Sequence, residues 1–306
     1  MRKIILVYAS SYTVLLDYIS SLNIIDKTIE LSNFSIEVFL QSNNIYIFTQ
    51  MWFKLEMFPE ELYLNDRFIY LNVEMLTEQN RWQNIYNLIQ KGIRIADYSL
   101  SNIAFIKEGL RKLNQDYPHE ILHFPYQYNI KEIVFLENKS KEYDYDIGVI
   151  NAFPQKSNSV NSSLFYKRSI LFEKLQEMKV NCINILGWGQ ERDDIIRRCK
   201  IILNVHHFEC FNIFEHIRCD RLIFANKIVI SENSLYSEDL DIDMFIIWKK
   251  YDDIIDYAKH VLDNFDIYQR KITNMNKDGL IINRINGLRH TYSKVVTIKN
   301  IDNTNK

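Results

Sequence analysis

Short, continuous apolar runs, spaced by segments of helical period, constrain this chain more than any other feature of its sequence. IILV at 4–7, IYIF at 45–48, FIYLNV at 68–73 and IILNV at 201–205 lack the in–out alternation of a half-exposed strand. Such runs suit strands covered on both faces, as in a parallel sheet wrapped by helices. Between them the period changes. After Thr77, a residue suited to cap a helix, Trp82, Ile85, Tyr86 and Ile89 keep the i, i+3, i+4, i+7 rhythm until Gly92 stops it. Strand and helix patterns in alternation predict an α/β protein.

The pattern occurs twice. In the first half, strands are expected at 3–8, 36–40, 45–48, 68–73, 93–96 and 121–124. Between 129 and 145 charges crowd together (Lys131, Glu132, Glu137, Lys139, Lys141, Glu142), which marks a linker. The second half restarts with strands at 147–150, 180–186, 201–205, 228–230 and near 245–247. Helices are expected at 163–178, from 190, at 212–224, and on a segment carrying Ile254, Ala258 and Val261. The reading is two Rossmann-like domains, 1–140 and 141–306, and 306 residues at 47% hydrophobic can supply a core to each.

Several classes drop out. With 37 basic against 39 acidic residues, bulk charge recruits neither nucleic acid nor an anionic membrane. The four cysteines, Cys182, Cys199, Cys210 and Cys219, have no CxxC spacing, so a zinc site is not expected and the thiols read as small core residues in a reducing compartment. The opening MRKIILVYASSYTVLL reads as strand, turn and helix rather than a signal peptide, since its apolar run is short and includes Tyr8. No stretch approaches the roughly 20 apolar residues of a transmembrane helix, and a cytoplasmic protein is expected.

Ligands of open parallel sheets bind beyond the carboxyl ends of the strands, so the residues just after each run carry the information. In the second half these are Asn151, then Gly187, Trp188 and Gly189, then His206 and His207, then Ser231 and Glu232. FNIFEHIR starts a helix near Asn212, with Glu215 in its first turn and Arg218 three residues on, on the same face. A diphosphate would find unpaired N–H groups at such helix starts, with Arg168, Arg192 or Arg218 as charge partners and Glu215 as acceptor for hydroxyls.

The run KIILNVHHFECFNIFEHIRCDRLIFANKIVISE resembles the C-terminal donor-domain signature of GT-B glycosyltransferases, in particular short bacterial and large-DNA-virus members with a "KILLNIH...FE.IR...L..NK..VISE" pattern. NVEMLTEQNRWQNIYNLIQKGIRIADYSLSNI and FPYQYN resemble the N-terminal half of the same proteins, so the likeness runs from about Asn72 to Glu232. The resemblance implies two facing Rossmann-like domains, a nucleotide-sugar donor on the second, an acceptor on the first, and no required metal or other cofactor. It places His206, Glu215, Arg218 and Glu232 at or near the donor cleft. One departure stands: the glutamate of many retaining enzymes is missing, with Arg221 about where it would fall, and this leaves retention or inversion open.

The metal-dependent alternative needs DxD at the carboxyl end of a strand, where paired carboxylates hold a cation against a diphosphate. Asp144–Tyr145–Asp146 and Asp239, Asp241 and Asp243 precede their strands instead. An acceptor base is sought at the strand ends of the first half, where Glu74 and Asp97 are the carboxylates and the turn from Tyr8 to Tyr12 offers only hydroxyls. The expected function is transfer of a sugar from a nucleoside diphosphate, uridine-linked, to a glycan or other hydroxyl acceptor. The alternatives are a nucleotide-sugar epimerase of the same fold and a non-catalytic nucleotide-sugar-binding protein.

Overall fold

The apolar runs pair side by side, and every strand pairing is parallel. The computed structural model describes residues 2–9, 16–49, 58–137, 142–150, 166–187, 189–206 and 212–296. They fall into two compact units, Met1–Gln127 with Ile281–Lys306, and Tyr128–Leu280.

The first unit runs β1 (Ile4–Tyr8), α1 (Leu16–Ser21), β2 (Lys27–Glu30), α2 (Ile36–Gln41), β3 (Ile45–Thr49), α3 (Glu60–Tyr63), β4 (Phe68–Asn72), α4 (Gln79–Gln90), β5 (Arg94–Asp97), α5 (Leu100–Lys112) and β6 (Leu122–His123). Its sheet order is β2-β1-β3-β4-β5-β6. The period of two sends Ile5 and Val7, Tyr46 and Phe48, and Phe68 and Tyr70 to one face, where they meet Ile85 and Ile89 of α4 and Ile103 and Ile106 of α5. Phe48 stacks on Phe68 at 4.3 Å between ring centroids. Gly92 ends α4 as expected, with φ +74° and its N–H on the Ile89 carbonyl at 2.9 Å.

One strand expectation fails. Residues 36–40 form helix α2, because Ser35 caps it by accepting from the Val38 N–H, and only Phe39 of the apolar run is buried while Val38 and Leu40 face solvent. Three apolar neighbours are compatible with either period, and the cap decides. Strand β2, with two exposed and two half-buried residues, gave no apolar signal.

The second unit runs α6 (Ile130–Leu136), β7 (Tyr145–Ile150), α7 (Tyr166–Glu177), β8 (Cys182–Ile185), α8 (Gln190–Arg197), β9 (Cys199–Asn204), α9 (His216–Phe224), β10 (Ile228–Glu232), β11 (Ile247–Lys249), α10 (Ile254–Asp263) and α11 (Phe265–Asn274). Helix α12 (Asp278–Val296) starts at the end of this unit and continues in the first. There Arg284 donates to the Tyr126 carbonyl at 2.9 Å and Thr291 to that of His123 at 3.2 Å. The charge-rich segment 129–145 contains α6, which Asn129 caps and which buries Ile133 and Leu136 at i, i+3 spacing.

The second sheet has the order β11-β10-β9-β7-β8. Counted from its first strand this is 2-1-3-4-5, the same winding as the first sheet. Ile147 and Val149, Ile201, Leu203 and Val205, and Ile228 and Ile230 share one face with Leu171, Phe172 and Leu175 of α7 and Ile254, Ala258 and Val261 of α10. Gly148, Ile202 and Asn204 therefore point to the other face. A Cβ on Gly148 would meet Ile185 Cδ1 at 2.6 Å and Cys199 Sγ at 2.8 Å, so a larger residue there requires these side chains to shift. Among the described residues no helix is long and apolar enough to cross a membrane.

Candidate functional site

In a doubly wound sheet the crevice lies beyond the carboxyl ends at the point where the strand order reverses, here between β7 and β9. Arg168, on the first turn of α7, is 3% exposed. Its Nε donates to the Val205 carbonyl at 2.6 Å and its Nη2 to Glu215 Oε1 at 2.7 Å. The side chain thus crosses the carboxyl edge of β9 and joins the α7 layer to the start of α9. Arg218, in the first turn of α9, pairs with the second oxygen, Glu215 Oε2. One buried carboxylate therefore holds two guanidinium groups. Burial alone would raise the Glu215 pKa, but Arg218, Arg168 and His206 outweigh it and bring it below the ordinary carboxylate value. Burial brings Arg168 down to about 10, so it stays charged at neutral pH.

Helix α9 starts at His216 rather than near Asn212. The Asn212 carbonyl accepts the Leu235 N–H at 2.7 Å and is committed to the loop after β10, while Glu215, with ψ 76°, is the N-cap. Both Glu215 oxygens are engaged, Oε1 by Arg168 and Oε2 by Arg218.

A second pair lies on the same rim. Glu232, the last residue of β10, accepts the His206 N–H at 3.1 Å through Oε2 and pairs with Lys167 Nζ through Oε1. The Lys167 ammonium lies 4.7 Å from the Tyr251 ring centroid, and the Tyr251 hydroxyl donates to the Lys167 carbonyl at 2.6 Å. His206 Nε2 is 3.0 Å from the Asn233 carbonyl, which can only accept, so Nε2 carries the proton. Burial lowers the His206 pKa against the pull of Glu232, and the ring is neutral at physiological pH. Sequence reasoning missed Lys167. It sits beside Arg168, but nothing in the sequence ties it to a carboxylate 65 positions away.

Other expected residues go elsewhere. Arg192 pairs with its neighbour Asp193 at 2.8 Å; Asp193 pairs with Arg221, and Arg221 with Glu132 at 2.7 Å. This buried charge network fastens α6, α8 and α9 to one another. Gly189 is the N-cap of α8, with φ +74°, and its carbonyl accepts the Asp193 N–H at 3.1 Å. Asn151, Trp188, His207 and the turn leading to Tyr12 lie outside the described residues.

In the first unit Glu74 pairs with Arg81 at 2.7 Å. Asp97 is fully buried at the end of β5, accepting from the Ser99 N–H at 2.8 Å, Asn102 Nδ2 at 3.0 Å and Asn72 Nδ2 at 2.6 Å. It fastens β4, β5 and the start of α5 together. Asp144 pairs with Arg198 at 2.5 Å and Asp146 with Lys200 at 2.6 Å, both at the amino end of β7, and Asp243 accepts from Trp248 Nε1 at 2.6 Å. Among the described residues no three His, Cys, Asp or Glu side chains are grouped to hold a metal.

Two parallel sheets of the same winding stand in tandem, and the last helix carries the chain back to the first unit. The fold is α/β, with two doubly wound, Rossmann-like parallel sheets. No family model matches the sequence. The chain is 32% identical over 200 residues to uncharacterized protein L140 of Acanthamoeba polyphaga mimivirus, covering 64% of this chain and 59% of that protein. It is 30% identical over 276 residues to L137 of the same virus, covering 87% of this chain and 33% of that protein, and 28% identical over 286 residues to R358, covering 89% of both. The chain thus spans 59% of the length of L140 and 33% of that of L137. Among solved structures it is similar to an α1,3-fucosyltransferase with GDP-fucose, at 12% identity and TM-score 0.46, over 99% of this chain and 93% of that one. It is also similar to an α-glucosyltransferase in complex with UDP-glucose and DNA containing an abasic site, at 11% identity and TM-score 0.40, over 95% of each chain.

Proposed function

We propose that the second GT-B-like unit binds a nucleoside diphosphate sugar at the carboxyl edge of β9 and β10, and that the protein transfers this sugar to a hydroxyl acceptor. The observation that carries the reading is the pair of ion clusters on one rim, Arg168–Glu215–Arg218 and Lys167–Glu232 with His206. Among the described residues of these clusters, three fixed cations stand against two carboxylates, a net positive charge. In a largely water-excluded setting that favours a diphosphate, and guanidinium groups bind its oxygens in pairs. The start of α9 adds the positive end of a helix dipole to the same place. When the sugar–phosphate bond breaks, these preset charges stabilise the departing diphosphate. Arginine and lysine can do this without a divalent cation. We assign the donor as uridine-linked and the acceptor as a glycan or other hydroxyl compound. Glu74 is the first-unit carboxylate we assign as acceptor base, because Asp97 is wholly enclosed.

Arg218→Ala tests the reading. Glu215 keeps Arg168 as a partner, so the fold should hold, while loss of a charge-assisted bond of about 1.5–3 kcal/mol weakens diphosphate binding roughly ten- to a hundredfold. Calorimetry with UDP and UDP-sugars, in chelator, gives the numbers. Unchanged affinity in the variant, or binding that appears only when manganese is added back, would count against the site. Analysis of products made from donor alone separates transfer from epimerisation.

A further inference from the structure

Among the described residues, two hydrogen-bond acceptors on this rim have no donor, although both are screened from water. Asn204 is the last residue of β9, and His206 follows it by two at the same carboxyl end. They are 1% and 2% exposed. Asn204 Nδ2 donates to Ser231 Oγ at 3.0 Å, and Ser231 Oγ in turn donates to the Glu232 carbonyl at 3.0 Å. This chain of donors fixes the amide, so that Oδ1 is the atom left over, and Asn204 Oδ1 has no partner among the described residues. With its proton on Nε2, His206 presents a bare lone pair at Nδ1, which also has no partner. A buried acceptor without a donor carries its full desolvation cost, and folded proteins rarely keep one without use.

We propose that Asn204 Oδ1 and His206 Nδ1 accept hydrogen bonds from hydroxyl groups of the bound ligand, and so select its sugar portion. The inference rests on the reading of the rim as a nucleotide-sugar site and adds a division of labour to it. At neutral pH the diphosphate group itself offers acceptors only, which suits Arg168, Arg218 and Lys167 but gives these two atoms nothing. Hydroxyl donors come from the transferred sugar or from the ribose, and the free nucleoside diphosphate, which has only the ribose, tells the two apart. A sugar offers hydroxyl donors. The basic groups then fix the diphosphate, while the two acceptors tell a nucleotide sugar from the nucleotide without its sugar. His206 has to remain neutral for this, and its burial favours that state. The charged groups that bear on the ring are Glu232, Glu215 and Lys167.

The test is ¹⁵N-histidine NMR on the full chain, with the His206 signals assigned through His206→Gln. The probes are the nucleotide sugar that raises the melting temperature most, from a panel of UDP-, GDP- and dTDP-sugars, and its own nucleoside diphosphate. The Nδ1 resonance should stand at the position of a neutral nitrogen with a free lone pair, move to that of a hydrogen-bonded one with the nucleotide sugar, and stay put with the diphosphate. Asn204→Leu should bind the diphosphate as wild type does and lose about tenfold in affinity for the nucleotide sugar. If Nδ1 does not move while the melting temperature rises, the acceptor role is wrong and the nucleotide-sugar reading stands. If Nδ1 is already hydrogen-bonded without ligand, a buried water serves it and the role is again wrong. Absence of stabilisation by every nucleotide sugar would overturn the proposed function and this inference together.

Discussion

Glu215→Ala is expected to lower folding stability by about 3–5 kcal/mol, the range for breaking a buried ion pair and stranding its partner. The side chain is 13% exposed and bridges Arg168 and Arg218, so its removal leaves Arg168, with a 3% exposed side chain, without its counter-charge. The burial that already lowers Arg168 would then have no carboxylate to offset it. The double variant Arg168→Met/Glu215→Leu removes both charges and keeps volume, so it should be more stable than either single one, because an apolar pair of similar size often replaces a buried ion pair without loss. Urea unfolding of the four proteins completes the cycle. Additive effects of the two changes would show that the carboxylate does not hold Arg168 in solution. The double variant should also fail to bind a nucleoside diphosphate while staying folded, which separates the arginine's use from its support.

Removal of the Asp97 carboxylate is expected to cost about 3–6 kcal/mol, since Asp97→Ala leaves the Ser99 N–H and one N–H each of Asn72 and Asn102, whose amides keep only the Glu74 carbonyl, without that acceptor in a fully buried place. The same residue gives stability a pH signature. Burial pushes the carboxyl from its ordinary 3.8 up to about 8, against the donors from Asn72, Ser99, Asn102 and Tyr98. Between these two values the folded chain holds a proton that the unfolded chain has released, so the contribution is full at low pH and is lost as pH rises from about 4 to about 8. The slope is at most about 1.4 kcal/mol per pH unit. His206, with its pKa lowered, works in the opposite sense at the low end of this window, so the informative quantity is the difference between wild type and Asp97→Asn. That difference should shrink steadily as pH is raised from 5 to 8. A difference independent of pH would mean that Asp97 is ionised in the native state throughout.

Much of the architecture is legible in the sequence because burial on both faces leaves a direct trace. Ile4–Tyr8, Ile45–Thr49, Phe68–Asn72 and Cys199–Asn204 each contain a run of apolar side chains that only a covered parallel strand needs. Helix α4 shows its period and its glycine stop for the same reason. Where the trace is ambiguous, reading fails. At 36–40 a run of apolar residues is a helix because Ser35 caps it, and β2 is an edge strand with too little burial to show. The KIILNVHHFECFNIFEHIR stretch pointed to the rim because strand ends and the helix start that follows are close in sequence.

Who pairs with whom on that rim was decided by the tertiary structure alone. Arg168 meets Glu215 across 47 positions and Lys167 meets Glu232 across 65, and only the winding of the sheet, which brings α7 and the ends of β9 and β10 to one edge, makes those pairs. Arg192 carried the same sequence signal as Arg168, a basic residue at a helix start after a strand. It is held by Asp193 in the network with Arg221 instead, because α6 packs against both α8 and α9. The sequence determined which residues are apolar enough to form strands and which polar ones follow them, since both depend on neighbours along the chain. Charge pairing depends on distances of a few ångströms between remote segments, and those are set only when the sheet closes and the helices pack on it.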